Sequence, residues 1–342
     1  MNKCFNILLI ISSLFFVEKV NSQDLHFSQY FNAPLLVNPA NTGFNPDYDF
    51  RLGGNYRNQW ASVSSFPYKT MSVWGDAQLF NNKFENSWIG VGGAFLKDEA
   101  GSGNLTSTRA YASIAYHQLL GLKSLLSGGF NLGFTQKRVD INKLYFNSQW
   151  NGKFFDISIP SGEPFAANTV NYFSLQAGIN YSYFASDNVY LNTGISISNI
   201  NRPSESFFAT KTANNQVDSR YTFFANASIK LQDLWILNPN IYYSTIGSTN
   251  EVVLGLMAQR DLSAERNGSI QLLAGVYYRN NDALIPMIGF DVMNLKITFN
   301  YDATTSVLKN YNQTRGAYEV SIVKSGLYKS RDKNIKCPTV RF

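Results

Sequence analysis

The chain contains two histidines, and one of them, His117, has a serine four residues before it. A serine hydroxyl beside an imidazole is the arrangement that the nucleophile of a phospholipase requires. Ser113 and His117 lie in a stretch with strand-like alternation, however, where positions four apart are separated by roughly 13 Å. They cannot bond to each other, and no further residue completes a triad. We therefore interpret His117 as a polar residue on the strand face that also carries Arg109 and Tyr111.

Metal and phosphate chemistry have no better candidates. No pair of His or Cys residues has the spacing of metal ligands, and the adjacent acids Asp98 and Glu99 are interpreted as a solvated loop tip. Five glycines lie in alternating stretches with no helix after them, so we interpret them as sites of close packing or bending, not as phosphate-binding loops. These are Gly90, Gly92, Gly93, Gly128 and Gly129. The sequence predicts no enzyme, no cofactor and no metal.

The composition favours a β protein of a membrane. Charged residues make up 15% of the chain and aromatic residues also 15%, whereas a soluble domain carries about 25% charged residues. Such a shift is expected when the outer surface faces lipid and the inner surface faces water. The net charge of +6 does not indicate nucleic acid, because the basic residues cluster only in a tail predicted to face the periplasm or peptidoglycan. That cluster comprises Lys324, Lys329, Arg331, Lys333, Lys336 and Arg341.

Residues 1–22 have the three parts of a secretory signal peptide. A lysine stands near the start, an apolar run covers residues 5–17, and Val20 and Ser22 precede a predicted cleavage before Gln23. The run is shorter than the roughly 20 residues of a spanning helix. The chain is therefore predicted to be exported.

Four parts follow from this pattern. They are a signal peptide (1–22), an irregular N-terminal segment (23–48), a transmembrane β-barrel (49–325) and a basic periplasmic C-terminal tail (326–342). Cleavage removes Cys4 and leaves Cys337, which excludes an internal disulfide in the mature chain.

The irregular segment is punctuated by Pro34, Pro39 and Pro46, which exclude a continuous helix or a central strand. Its apolar residues are too numerous for a segment surrounded by solvent. They are Phe27, Tyr30, Phe31, Leu35, Leu36 and Phe44. We predict that the segment packs into or across the periplasmic mouth of the barrel as a plug.

Alternating apolar and polar residues run from Asp49 to Lys324 in stretches of about ten residues. A β-sandwich also alternates, but its strands are usually about five or six residues long, whereas a tilted strand that crosses a bilayer has about ten. Aromatic residues near the strand ends are interpreted as interfacial girdles. They are Trp60, Trp74, Trp88, Tyr183, Tyr221, Trp235, Tyr243 and Tyr278. The predicted fold is all-β, an outer-membrane barrel of antiparallel strands.

Fourteen strands are predicted, an even number as bacterial single-chain barrels require. Their predicted ranges are 49–60, 70–80, 87–97, 106–118, 124–138, 170–184, 188–199, 220–231, 234–246, 250–260, 268–279, 283–291, 293–302 and 316–324. The longest connections, 139–169, 200–219 and 303–315, all follow odd-numbered strands, which predicts outer loops there and both termini in the periplasm. Pro239 and Pro286 fall inside predicted strands, where each costs a ladder hydrogen bond unless it lies at a bulge or an edge.

The residues alone leave two functions open. One is a channel that passes solutes, and the other is a barrel that displays or holds another protein. Fourteen strands enclose a lumen wide enough to conduct unless something fills it.

Several motifs resemble the PorP/SprF family of Bacteroidetes outer-membrane proteins linked to the type IX secretion system. At the N-terminal side they are Asp24, Phe27-Ser28-Gln29-Tyr30, Pro34-Leu35, Asn38-Pro39-Ala40, Gly43, Tyr56-Arg57-Asn58-Gln59-Trp60, Pro67, Thr70 and Ser72. At the far end they are Gly316-Ala317-Tyr318-Glu319-Val320-Ser321, Cys337-Pro338 and Arg341-Phe342, and the inserted Thr339-Val340 departs from the family's terminal C-P-R-F. The middle of the chain matches only in strand rhythm.

This resemblance implies a barrel that helps to secrete or anchor a partner surface protein of the adhesin or gliding-motility type. It implies periplasmic or peptidoglycan-associated components of the secretion machinery as further partners, besides outer-membrane lipid, and the alternative is a general solute-conducting porin. The expected partner contacts in the outer loops are Phe146, Trp150, Phe154, Phe155, Phe165, Phe207 and Phe208, although packing within the loops would explain these aromatics equally well. The expected plug and motif residues are Phe27, Gln29, Tyr30, Asn38, Pro39, Arg57 and Trp60.

Overall fold

The barrel is formed by fourteen antiparallel strands that pair in chain order and close between the first and the last. This computed structural model describes residues 27–45, 48–80, 84, 86–208, 215–231, 234–263 and 268–328. The signal peptide, the start of the N-terminal segment, and Cys337 with most of the basic tail lie outside the described residues.

The strand bounds follow the alternation of the sequence closely. Strands β1 to β14 are Phe50–Gln59, Tyr68–Leu79, Ser87–Ala100, Leu105–Leu119, Ser124–Arg138, Thr169–Ser186, Val189–Ser198, Arg220–Leu231, Trp235–Ile246, Thr249–Asp261, Ile270–Arg279, Ala283–Val292, Leu295–Thr304 and Arg315–Gly326. The predicted fourteen-stranded barrel is confirmed. Asp98 and Glu99, predicted at a loop tip, instead lie in β3, which is three residues longer than its alternation indicated.

Closure places the start of β1 and the end of β14 side by side, with Phe50 opposite Gly326. The connections at this end of the barrel follow even-numbered strands and are short, so we call it the short-turn end. The long connections 139–168, 199–219 and 305–314 lie at the opposite end, which we call the loop end. A small helix, Lys309–Asn312, forms part of the third of these connections.

Side chains alternate between the two faces of the wall, as in β13. Ile297, Phe299 and Tyr301 are exposed on the outside, where an apolar band meets lipid. Thr298 and Asn300 are buried in the lumen. Among the described residues, no helix has the length and apolarity needed to cross a membrane.

Both prolines remain inside strands, and the wall closes around them. The β8–β9 ladder has the same register on either side of Pro239, but Asn238 and Pro239 themselves are not paired with residues of β8. Since proline has no N–H to donate, the Asn238 side chain donates to the Ala227 carbonyl at 3.4 Å instead. The β12–β13 ladder skips pairs in the same way at Pro286.

Two tryptophans assigned to an interfacial girdle were predicted wrongly. Trp74 and Trp88 are only 3% and 4% exposed and point into the lumen. Each indole N–H donates to a backbone carbonyl of the N-terminal segment, Trp74 to Asn32 at 2.9 Å and Trp88 to Gly43 at 3.0 Å. An aromatic residue can point to either face of a strand. Here the backbone carbonyl that accepts from each indole N–H lies inside the lumen, and this bond accounts for the inward orientation of both tryptophans.

Candidate functional site

The lumen is occupied by residues 27–45, which we call the plug. It consists of a 3₁₀ turn (Tyr30–Asn32), one helical turn (Pro34–Val37) and a second 3₁₀ turn (Pro39–Asn41). Both prolines stand at the first helical position, where the missing N–H costs nothing. The plug runs through the barrel from near the loop end to the short-turn end. Near the loop end Ser28 bonds to β14, and at the short-turn end Phe44 packs among Trp88, Leu119 and Leu125.

Ser28 is the centre of a buried polar cluster near the loop end. Its hydroxyl donates to Asp302 Oδ2 at 2.7 Å and accepts from Arg57 Nη1 and Arg279 Nη2, both at 2.6 Å. A hydroxyl offers one donor and two acceptor positions, so all of its capacity is used. We call Ser28, Arg57, Arg279, Asp302 and Glu319 the Ser28 cluster.

Glu319 connects the backbone of the plug to the wall. Its carboxylate accepts from the backbone N–H of Ser28 at 2.9 Å and of Gln29 at 3.0 Å, and it is fully buried. Arg57 lies 2.9 Å from Asp302 and 3.5 Å from Glu319, and Arg279 lies 3.2 Å from Asp302, so two cations face the two acids. Buried charges are tolerated only when they are paired and hydrogen-bonded. The plug donates hydrogen bonds to charged side chains of the barrel wall, so it helps to stabilise them inside the lumen.

Gln29 and Asn32 extend the polar contact along β13. The Gln29 amide donates to Asn300 Oδ1 at 2.6 Å and accepts from Asn32 Nδ2 at 2.7 Å. Asn32 also donates to Thr298 Oγ1 at 2.9 Å. Because Gln29 is 1% exposed, its partners are all within the protein.

Aromatic rings attach the same part of the plug to strands β9 and β11. Tyr30 packs on Tyr242 with ring centroids 4.7 Å apart, and its hydroxyl donates to Asn240 at 3.0 Å. Phe31 stacks on Tyr277 at 5.3 Å. The plug is thereby attached to β9 and β11 as well as to β13 and β14.

Asn38 fixes the middle of the plug to two adjacent strands. Its amide donates to the carbonyls of Ile179 at 3.0 Å and Ile195 at 3.1 Å, and it is fully buried. A glycine in the wall leaves room for the Asn38 side chain, since a Cβ on Gly178 would lie 2.1 Å from Asn38 Oδ1. The glycines of this wall are therefore needed for close approach of the plug.

Gly129 provides a direct test of that fit. A Cβ there would lie 2.4 Å from the carbonyl carbon of Pro39, which is backbone and cannot rotate away. We expect Gly129→Ala to displace the plug and to lower the free energy of unfolding by roughly 1–3 kcal/mol, the usual cost of overpacking. Urea unfolding in detergent measures this.

The matched control is the neighbouring residue. A Cβ on Gly128 would meet no atom within 4 Å, so Gly128→Ala is expected to leave the unfolding midpoint nearly unchanged. Equal effects of the two substitutions would contradict a plug seated against Gly129.

His117 contacts the plug near the short-turn end. Its Nε2 donates to the Thr42 carbonyl at 2.8 Å, and its Nδ1 lies 2.7 Å from Ser127 Oγ. The Ser113 hydroxyl contacts the Thr42 hydroxyl and not the imidazole. The two residues examined as a nucleophile and base thus both bind the plug.

Outside the lumen, two long connections fold together at the loop end. We call residues 139–168 and 199–219, as far as they are described, the loop lobe. An isolated bridge pairs Phe165 with Phe208, whose rings stack at 5.0 Å, and Lys137 of β5 binds Glu205 at 2.6 Å. These contacts give the lobe a defined shape over β5–β8.

The lobe separates the predicted contact residues into two groups. Phe146 and Phe208 pack against Phe165, and the Phe207 carbonyl accepts from Ala166 at 2.9 Å. A second group lies at a tip where Trp150 bridges to Phe155, and its exposed fractions are 49% for Trp150, 59% for Phe154 and 45% for Phe155.

The plug and motif residues named from the sequence come together, with one exception. Arg57 enters the Ser28 cluster, and Phe27 packs with Leu96, but Trp60 lies at the loop-end rim, where its ring contacts Tyr68 edge-on at 5.4 Å. The contributions of Arg279 and Asp302 were missed. In a chain with so few charges, acids and bases at lumen-facing strand positions were the available signal.

A closed antiparallel barrel with an apolar outside and a polar lumen defines the class as an outer-membrane barrel protein, and this member has its lumen filled by its own N-terminal segment. The chain belongs to the PorP/SprF family of type IX secretion system membrane proteins, since the family model matches residues 19–323. A search of curated protein sequences found no match.

Solved structures with a similar fold are also barrels. A deletion mutant of the TodX monoaromatic hydrocarbon channel aligns with a TM-score of 0.50 at 12% identity, over 85% of this chain and 93% of that one. A Pseudomonas aeruginosa FadL homologue aligns with a TM-score of 0.50 at 9% identity, over 86% and 94%. At such identities the similarity concerns the fold alone.

Proposed function

We propose that this protein acts in the outer membrane as a closed barrel that helps to deliver or retain a surface protein exported by the type IX secretion system, of the adhesin or gliding-motility type. On this proposal the loop end faces outward and the short-turn end faces the periplasm, where machinery components bind. The protein is proposed to have no enzymatic activity and to be exported with its signal peptide removed.

The observation that carries the proposal is the filled lumen. The plug bonds to the wall along its whole length, from Glu319 near the loop end to Asp76, which accepts from Gly43 N–H at 2.7 Å, near the short-turn end. A general porin needs a continuous aqueous path. Because the plug occupies that path, we infer that the loop lobe, and not the lumen, is the surface that binds a protein partner.

The exposed tip of the loop lobe is the proposed contact. Large aromatic side chains dominate the binding energy of protein interfaces. We expect the double substitution Trp150→Ser and Phe154→Ser to weaken capture of the partner by up to roughly a thousandfold, since each anchor contributes about 2 kcal/mol when truncated. The measurement is quantitative mass spectrometry of pull-downs from native membranes in mild detergent.

The matched control removes an exposed apolar residue from the other end of the barrel. Leu122 is 85% exposed in a short turn, and Leu122→Ser should leave capture of an outer-surface partner unchanged. If the tip variant captures as much as the unaltered protein, the tip is not the contact; if the unaltered protein captures no exported protein, the proposed function is wrong.

A further inference from the structure

The outer surface of the wall carries a group of basic side chains near the loop end. They are Lys69 of β2, Lys97 of β3 and Arg138 of β5, which alternate with residues that face the lumen and therefore point outward. Glu99 of β3 lies among them. In the described strands β6 to β13, the outward positions of the loop-end half carry no charged residue. The charge is thus confined to one side of the barrel, and we call these four residues the basic row.

The register of the strands aligns this group across four of them. Lys69 is opposite Glu99, and Thr106 of β4 is opposite both Glu99 and Arg138. Three strand spacings of about 4.8 Å separate β2 from β5, so the two ends of the row are roughly 14 Å apart. Lys97 lies two residues from Glu99 on the same face of β3. The three cations are therefore close enough to bind a single large head group.

The cations at the two ends of the row are available to a ligand. Lys69 and Arg138 are exposed, and neither forms an ion pair within the described part of the chain. Lys97 bonds to Glu99 at 2.7 Å, and their side chains are 37% and 40% exposed. Ammonium and guanidinium groups bind phosphate oxygens through charge-assisted hydrogen bonds. With three cations and one carboxylate, the row favours an anionic ligand.

The basic row lies at the loop-end edge of the apolar band. Met71, Phe95 and Phe134 face outward on the same three strands, closer to the short-turn end, and are 41%, 49% and 40% exposed. Strands β3 and β5 have 14 and 15 residues, whereas about ten residues cross the bilayer. Their loop ends therefore extend into the head-group region, where cations lie directly beside apolar surface.

We propose that the basic row binds the phosphorylated head group of a lipid in the leaflet at the loop end, with its acyl chains lying on Met71, Phe95 and Phe134. Free phosphate would satisfy the cations but would leave the apolar surface beside them uncovered. A lipid satisfies both. The inference goes beyond the proposed function, because it concerns the lipid that surrounds the barrel and not an exported partner.

The test uses the purified full-length barrel in an uncharged detergent, titrated with diphosphoryl lipid A or with the same lipid after removal of its phosphates. Native mass spectrometry measures the fraction of protein that carries lipid. The phosphorylated lipid should bind more tightly, and Lys69→Gln with Arg138→Gln should weaken its binding roughly thirtyfold, since each cation near a charged lipid surface contributes a factor of about five. Glu99→Gln should tighten its binding, because it removes the acid from the row.

The matched control is Arg260→Gln, which alters an exposed arginine over Trp235 on the outer surface near the short-turn end. It should leave the affinity for the phosphorylated lipid unchanged. Equal affinity for the two lipids, an undiminished affinity in the double variant, an equal loss in the control, or weaker binding by Glu99→Gln would overturn the proposal. Displacement of the lipid by inorganic phosphate at the same concentration would overturn the assignment to a lipid. The titration contains no exported partner, so its outcome is independent of the pull-down that tests the proposed function.

Discussion

Deletion of residues 24–43 is expected to convert a non-conducting barrel into an open channel. The wall is closed by its own ladder between β1 and β14 and does not need the plug for its pairing. Without the plug, water enters a lumen intermediate in width between packed small barrels and open porins, and single-channel current should rise roughly tenfold or more above that of the intact protein. Planar bilayer recording measures this directly.

The control for that experiment shortens the other terminus. Removal of residues 329–342 shortens the chain by fourteen residues and leaves residues 27–45 in the sequence, and the current should remain at the level of the intact protein. If plug deletion leaves the current unchanged, the plug does not close the lumen.

Arg57→Met is expected to lower the stability of the barrel strongly. Arg57 lies between Asp302 and Glu319, whose side chains are 3% and 0% exposed. Removing one partner of a buried ion pair typically costs about 3–5 kcal/mol. Asp302 keeps Arg279 at 3.2 Å, whereas Glu319 loses the guanidinium that faces it. The midpoint of urea unfolding in detergent should fall accordingly.

Two further variants identify the cause of that loss. Arg260→Met alters an exposed arginine that lies over the Trp235 ring, and it should change stability by no more than about 1 kcal/mol. Combining Arg57→Met with the plug deletion should cost less than the sum of the two, because water then reaches both acids. An Arg57→Met effect as small as that of Arg260→Met would contradict a buried, plug-dependent cluster.

The barrel could be predicted from the sequence because the alternation of apolar and polar residues along a strand is a local signal. In β13 each outward residue is apolar and each inward one is polar, so Leu295 to Asp302 predict both strand and face without other information. The parity of the long loops follows from strand order in the same way. The extra residues of β3, by contrast, depend on pairing with β2, where Glu99 is opposite Lys69, and no local pattern indicates them.

The course of the plug through the lumen could not be predicted from local sequence patterns. Its apolar content and prolines indicated a packed, irregular segment, but its course through the lumen depends on contacts more than 250 residues apart in sequence, such as Ser28 with Asp302. Trp74 was placed in a girdle for the same reason, because its partner, the Asn32 carbonyl, is recognisable only when the plug is inside the barrel.

The most direct test holds the plug in place and measures conduction. Thr42 and Ser113 have hydroxyls in contact across the interface between plug and wall, so Thr42→Cys with Ser113→Cys, in a Cys337→Ser background, should form a disulfide. Bilayer recordings of the oxidised protein are predicted to show no ion-current steps. Steps of porin size with the disulfide intact would contradict a lumen closed by its own N-terminal segment.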